Sequence, residues 1–271
     1  MTFKQKLKPI VPQPLWHLAR DSWIGLKHAT QWPLATLHPW RRVSMEQLAA
    51  LKDIHKGERC FIIGNGPSLK NTDTSLLKDE YTFGMNRIYL AFPDWGFTTS
   101  YFVSVNSLVI EQCADDILEL PVPKFLSWRS RGSIDQPTAD TIFLHSTYTG
   151  RKFAPDVRGR IWEGATVTYV SMQLAFHMGF ETVILIGVDH SFVAKGKPNQ
   201  TVVSEGDDLS HFDARYFGKG FRWQLPDLDV SEQAYIMARE GYKAAGRQIV
   251  DATVGGKLQV FPKVDYNTLF S

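Results

Sequence analysis

The chain has 271 residues, of which 44% are hydrophobic and 21% charged, with a formal net charge of +2. This composition belongs to an ordinary globular protein, and two cysteines, Cys60 and Cys113, exclude a disulfide-built scaffold or a thiolate metal site. No run approaches the ~18–20 apolar residues of a spanning helix and no signal-peptide core is present, so a reducing cytoplasm is the expected compartment.

Residues 1–43 read as a basic arm rich in tryptophan and proline, and residues 44–271 as the main domain. Before Ser44 the charges are Lys4, Lys6, Lys8, Arg20, Lys27, Arg41 and Arg42 against Asp21. Trp16, Trp23, Trp32 and Trp40 are interleaved with prolines, and Leu15 to His28 suits a short amphipathic helix. Such an arm either docks on the main domain or meets an anionic bilayer, making the protein peripheral on the inner face of a membrane.

Ser44 to His55 reads as a helix, with Ser44 as its cap and Met45, Leu48, Leu51 and Ile54 on one face. The stretch Cys60 to Ile63 is short and continuously apolar, as in a strand buried on both faces of a parallel sheet. It stops at Gly64-Asn65-Gly66-Pro67-Ser68. The two glycines permit a sharp turn and close approach, and Pro67 suits the first turn of a helix. Strand, turn and helix N-terminus together predict an anion site for a nucleotide phosphate or ribose.

Further strands are expected over Tyr81–Asn86, Tyr101–Val105, Lys124–Ser127, Thr141–Leu144, Glu181–Asp189 and Gln248–Val250. Helices are expected over Leu108–Leu118, Thr166–Met178 with Gly179 as a left-handed cap, and Ser231–Ala245. This alternation predicts an α/β fold, a doubly wound and mostly parallel Rossmann-like sheet, with ligands outside the carboxyl ends of the strands. Asn65, Asn86, Asn106 and Asp189 each end a strand and are expected to line one crevice, where asparagines suit a sugar or ribose. Residues 190–226 are polar, glycine-spaced and aromatic, and read as a lid. His211 is its candidate general base, with His190 as a second histidine. The lid also carries Asp207, Asp208, Asp213, Arg215 and Tyr216, and its aspartates match no metal-ligand spacing.

From Gly64 to Leu69, in Asn86-Arg87-Ile88-Tyr89 and across Gly164 to Asp189, the chain resembles a superfamily. It groups bacterial family 42 sialyltransferases, MptE-like pterin diphosphokinases and Maf flagellin-glycosylation proteins. The resemblance covers roughly Cys60 to Asp251. In its sialyltransferase branch it implies that Gly64, Asn65, Gly66, Ser68 and Asn86 hold a nucleotide sugar, CMP-linked, with Asn106 nearby; Pro67, Thr166, Asp189 and Arg215 are further candidate substrate-binding residues. It also implies that a histidine deprotonates the acceptor without a metal. The family's tyrosine after the Gly-x-Asp strand is missing, since Ser191 and Phe192 stand there, and Tyr216 is the residue placed to replace it.

The expected function is therefore a glycosyltransferase, with His211, Tyr216 and His190 as catalytic residues. It would move a sialic-acid-like sugar to a surface glycan, a lipid-linked acceptor or another glycoconjugate. No tightly bound cofactor and no nucleic-acid partner is expected, and the oligomeric state is left open. The alternatives are an MptE-like diphosphokinase moving pyrophosphate from ATP with Mg²⁺, or a nucleotide-binding module without catalysis.

Overall fold

A computed structural model describes residues 22, 23, 26, 31–148, 150–191 and 196–270. The helix expected over Leu15 to His28 lies largely outside them, as does Phe192. Among the described residues no helix is long and apolar enough to cross a membrane.

The first named helix, α1, is Pro39–Ala50 rather than Ser44–His55. Pro39 in the first turn and the His38 side chain, which accepts from the Trp40 amide, start it earlier than Ser44. Ser44 instead lies buried inside the helix. Its hydroxyl donates to Trp40 O at 2.7 Å and accepts from the Phe143 amide at 2.9 Å. The helix runs through residues 43 and 44, and buried Arg41 donates to the carbonyls of Phe143 and Arg158.

The strands follow as β1 Arg59–Ile63, β2 Thr82–Met85, β3 Tyr101–Ser104, β4 Lys124–Ser127, β5 Thr141–Thr147, β6 Arg160–Trp162, β7 Thr182–Ile186 and β10 Gln248–Asp251. They form one eight-stranded sheet in the order β10-β7-β1-β2-β3-β4-β5-β6, every pairing parallel. Helix α2, Ser107–Glu119, links β3 to β4; α3, Val167–Met178, links β6 to β7; α4, Leu228–Ala244, precedes β10. Alternate strand residues feed two cores. Cys60, Ile62, Val183 and Leu185 meet α3 and α4 on one face, while Phe61, Ile63, Ile184 and Ile186 meet α2, the lid and the C-terminal turn on the other. Leu258, Val260, Phe261 and Tyr266 are buried, so the C-terminal segment packs back on the domain. Helix α3 is buried almost all round, begins at its cap Thr166 and ends on left-handed Gly179.

One edge strand and a separate two-stranded hairpin carry no periodic signal. Strand β6 and the lid hairpin, β8 Thr201–Val203 with β9 Arg222–Gln224, are three residues each, too short to show alternation.

The chain builds outward from β1 to β6, then returns through α3 to place β7 on the opposite side of β1. The order therefore reverses between β1 and β7, which is where an open parallel sheet leaves its crevice. Both strands end on glycine and the two turns touch. Gly64 N donates to Ile186 O at 2.7 Å, and Gly66 N to Gly187 O at 2.9 Å. A Cβ at Gly64 would collide with the Gly187 carbonyl, and one at Gly187, where φ is +65°, would lie 2.7 Å from Gly64 O. Since the obstacles are backbone, Gly64→Ala and Gly187→Ala should each cost ~1–3 kcal/mol or more in urea unfolding. Gly206→Ala, with open space around it, is the control and should be near neutral. Parent-like midpoints for the first two would show that the turns separate without cost.

Candidate functional site

A crevice of about 1060 Å³ opens over this switch point. Gly64, Asn65, Gly66, Asn86, Asn106, Thr166, Asp189, His190, His211 and Tyr216 all line it. Pro67, Ser68 and Arg215 do not.

The glycine turn differs from its sequence reading in one physical respect. What approaches the two glycines closely is the protein itself: a Cβ at Gly66 would strike the Asp189 carboxylate. Asp189 Oδ2 accepts from Ser68 Oγ at 2.6 Å and Oδ1 from the Ser68 amide at 3.2 Å. Pro67 opens a five-residue 3₁₀ turn, Pro67–Asn71, rather than an α-helix. The amides of Gly64, Gly66 and Ser68 are thus engaged within the chain, by the carbonyls of Ile186 and Gly187 and by the Asp189 carboxylate.

The strand-end asparagines are held by the fold. Asn65 Nδ2 donates to Met85 O at 3.1 Å, while its Oδ1 is buried without a partner. Asn86 sits at φ +52°, which stops β2, and its Oδ1 accepts from Ser104 Oγ at 3.0 Å. Asn106 caps α2 by accepting from the amides of Leu108 and Val109. Thr166 caps α3, and its hydroxyl lies 3.2 Å from the Tyr235 hydroxyl. His190, at φ +53°, places Nε2 3.6 Å from Glu232 Oε2.

The lid is fastened over the turn. Phe212 N donates to Asn65 O at 2.9 Å, and the Arg87 guanidinium donates to the carbonyls of Arg215 and Tyr216. Its own Tyr216, Phe217, Trp223 and Leu225 are buried. Within this frame His211 Nδ1 lies 2.7 Å from Asp208 Oδ2. Burial alone would raise the Asp208 carboxyl, but hydrogen bonds from His211 and from the amides of Ser210 and Phe217 hold it below the usual range. An ionised Asp208 favours the tautomer in which His211 donates from Nδ1, the orientation a histidine general base requires. Tyr216 stacks on the imidazole with ring centres 4.0 Å apart. Its hydroxyl faces the Asn86 carboxamide, and burial pushes it well above the ordinary phenol range.

Arg215 is turned to solvent and paired with Asp213 at 2.6 Å, which keeps its guanidinium out of the crevice. Among the described residues no three His, Cys, Asp or Glu side chains gather as a metal site. Asp208 is committed to His211, Asp213 to Arg215 and Asp189 to Ser68, so these carboxylates do not fit a Mg²⁺ centre as they stand.

Sequence reasoning missed the far wall. There Glu163, only 6% exposed, lies 3.8 Å from Arg129 NH1, with neither atom hydrogen-bonded. Glu163 comes from the end of β6 and Arg129 from the turn after β4, so no local motif joins them. Burial raises the Glu163 carboxyl from 4.5 to about 6, against the pull of Arg129 and Ser146. With the folded value above the unfolded one, the folded chain keeps a proton that the unfolded chain has released, so stability falls as pH rises through that window. Glu163→Gln removes this titration. The variant should gain up to ~2 kcal/mol on the parent between pH 4.5 and 7, read from urea midpoints. A gap that does not change with pH would show that Glu163 is already ionised throughout.

A search of curated proteins finds no match. Among solved structures, the chain is similar to the sialyltransferase CstII from Campylobacter jejuni in complex with a substrate analogue, cytidine-5'-monophosphate. Identity is 16% and the TM-score 0.43, over 78% of this chain and 86% of that one. The family described as 6-hydroxymethylpterin diphosphokinase MptE-like matches residues 37–195, more than half of the sequence. The chain belongs to this MptE-like family.

Proposed function

We propose that the chain is a glycosyltransferase that moves a sugar from a nucleotide donor to an acceptor hydroxyl. The observation that carries this reading is the Asp208–His211 pair set in the wall of the switch-point crevice. His211 Nε2 takes the acceptor's hydroxyl proton as that oxygen bonds to the anomeric carbon. The bond from that carbon to the donor phosphate breaks, and the nucleotide leaves with the electron pair. Asp208 holds the imidazole in the required tautomer and steadies the imidazolium that forms. With the amides of Gly64, Gly66 and Ser68 engaged by Ile186, Gly187 and Asp189, the donor is read by side chains, those of Asn65, Asn86 and Asn106. A CMP-linked, sialic-acid-like sugar and a surface glycan or glycoconjugate acceptor fit this arrangement. Tyr216, behind the imidazole, acts as a positioning residue, and His190 serves the substrate side of the crevice.

A cytoplasmic enzyme held peripherally at the inner face of a membrane is the accompanying proposal. Trp23, Leu26, Leu34 and Leu37 are exposed large apolar side chains in a stretch whose charges are nearly all positive. The description of the matched family favours a second reading, pyrophosphoryl transfer from ATP, which needs Mg²⁺ and charge-neutralising groups around a triphosphate.

Calorimetric titration with CMP, UDP, GDP and ATP, each in EDTA and in Mg²⁺, separates the two. Preference for CMP in EDTA is expected, and ATP binding that appears only with Mg²⁺ would replace glycosyl transfer with diphosphokinase chemistry. His211→Ala should slow release of CMP from CMP-N-acetylneuraminate by ~10²–10⁴-fold while leaving CMP affinity unchanged. Equal turnover in that variant would remove His211 from the reaction.

A further inference from the structure

We infer that the β5–β6 end of the crevice is an acceptor subsite for a negatively charged sugar, held by Arg151 and Arg160 against the ring of Tyr148. The inference rests on the transferase reading and adds to it the charge of the acceptor.

The crevice extends well past the switch point. It runs from the β1–β7 switch point to Tyr148, Gly150, Arg151, Arg160 and Trp162, five inter-strand steps along the sheet, or about 24 Å. At this end the charges are uneven. Arg151 donates to the neutral Gln233 carboxamide at 2.5 Å, and among the described residues neither Arg151 nor Arg160 is paired with a carboxylate. The Arg160 guanidinium occupies room left by the missing side chain of Gly150, where a Cβ would lie 2.9 Å from its NH2. Lys152, next in the chain, has its ammonium lowered by burial and then by the charge of Arg160, as expected where cations crowd without a counter-ion.

The nearby acids are engaged elsewhere. Glu163 faces Arg129, Glu232 faces His190, and Asp227 caps α4 and accepts from Asn199. Two arginines left in this state at one wall favour a carboxylate or phosphate.

The same wall supplies an apolar platform. Tyr148 lines the crevice with 53% of its surface exposed, and the Arg129 guanidinium covers its ring at 3.7 Å. Trp162 donates its indole N–H to Tyr148 O at 3.0 Å, which fixes the backbone that carries the ring. An aromatic face beside uncompensated guanidinium groups matches a sugar that bears an acid, and a neutral sugar would use only half of it.

The test titrates the full chain, with and without saturating CMP, against N-acetylglucosamine 1-phosphate, glucuronic acid and uncharged N-acetylglucosamine. At least one anionic sugar should bind tenfold or more tighter than the neutral one, and the stronger of the two identifies phosphate or carboxylate as the group recognised. Arg160→Glu and Arg151→Glu should each weaken that binding at least tenfold with CMP affinity unchanged. Should Arg160→Glu fail to fold, Arg151→Glu, at a more exposed position, gives the same reading. The subsite is overturned if the parent binds neither anionic sugar, if the neutral sugar binds as tightly, or if charge reversal has no effect. Failure to bind CMP counts against the nucleotide reading alone.

Discussion

The contact between the two glycine turns that end β1 and β7 sets the depth and position of everything above the sheet. With Gly66 N on Gly187 O and Gly64 N on Ile186 O, the strands stop level and the turns lock backbone to backbone. No side chain fits between them, so the floor of the crevice is main chain. The Asp189 carboxylate then closes the second turn by taking the amide and hydroxyl of Ser68. A shape that elsewhere receives a phosphate here receives the protein's own anion. In the proposed function, ligand recognition passes in consequence to side chains at the strand ends and to the 196–226 segment.

The lid is a second layer built on the first. Asn65 joins the two, since its side chain holds the end of β2 through Met85 O while its carbonyl receives the Phe212 amide. Gln112 on α2 adds a two-way pairing, accepting from the Arg222 amide and donating to the Arg222 carbonyl. Only with this segment fixed does the Asp208–His211 pair have a defined place. The imidazole is oriented at the crevice because its partner carboxylate is itself held by two backbone amides.

Much of the fold was legible in the sequence because a parallel sheet buries both faces and writes continuous apolar runs, as in Phe61–Ile63 and Val183–Ile186. The cap Gly179 was legible too by residue type, while Thr166, read as the first helical residue, is the N-cap. The start of α1 was not, since Ser44 has the chemistry of a cap but spends it on a strand amide 99 residues away. The candidate site was readable where residues end strands, and unreadable where its meaning depends on what fills a turn. Two glycines after a strand carry the same pattern whether a ligand, a carbonyl or a carboxylate approaches them. Arg215 illustrates the converse: its charge suggests a phosphate partner, and Asp213 two residues earlier takes it. Glu163, Arg129, Tyr148 and Arg160 left no motif because three separate strand ends assemble them.

The two ends of the crevice treat charge in opposite ways. At the switch point Asp189 and Asp208 are each surrounded by donors from their own neighbourhood, so their fields are largely cancelled before a ligand arrives. At the β6 end Arg151 and Arg160 keep theirs. A Coulomb term that is worth about 1 kcal/mol in bulk water at 4 Å grows severalfold beside a protein surface. The resulting gradient acts along the crevice, from a neutralised floor to a cationic wall. On the proposed reading, an asymmetric anion is oriented before any short-range contact forms, with its negative group toward β6 and its neutral hydroxyls toward His211. Neither end alone specifies direction: the base could deprotonate any hydroxyl that reaches it, and the arginines could hold any acid. In the proposed function, their separation by several strands is what selects a molecule carrying both groups at that spacing.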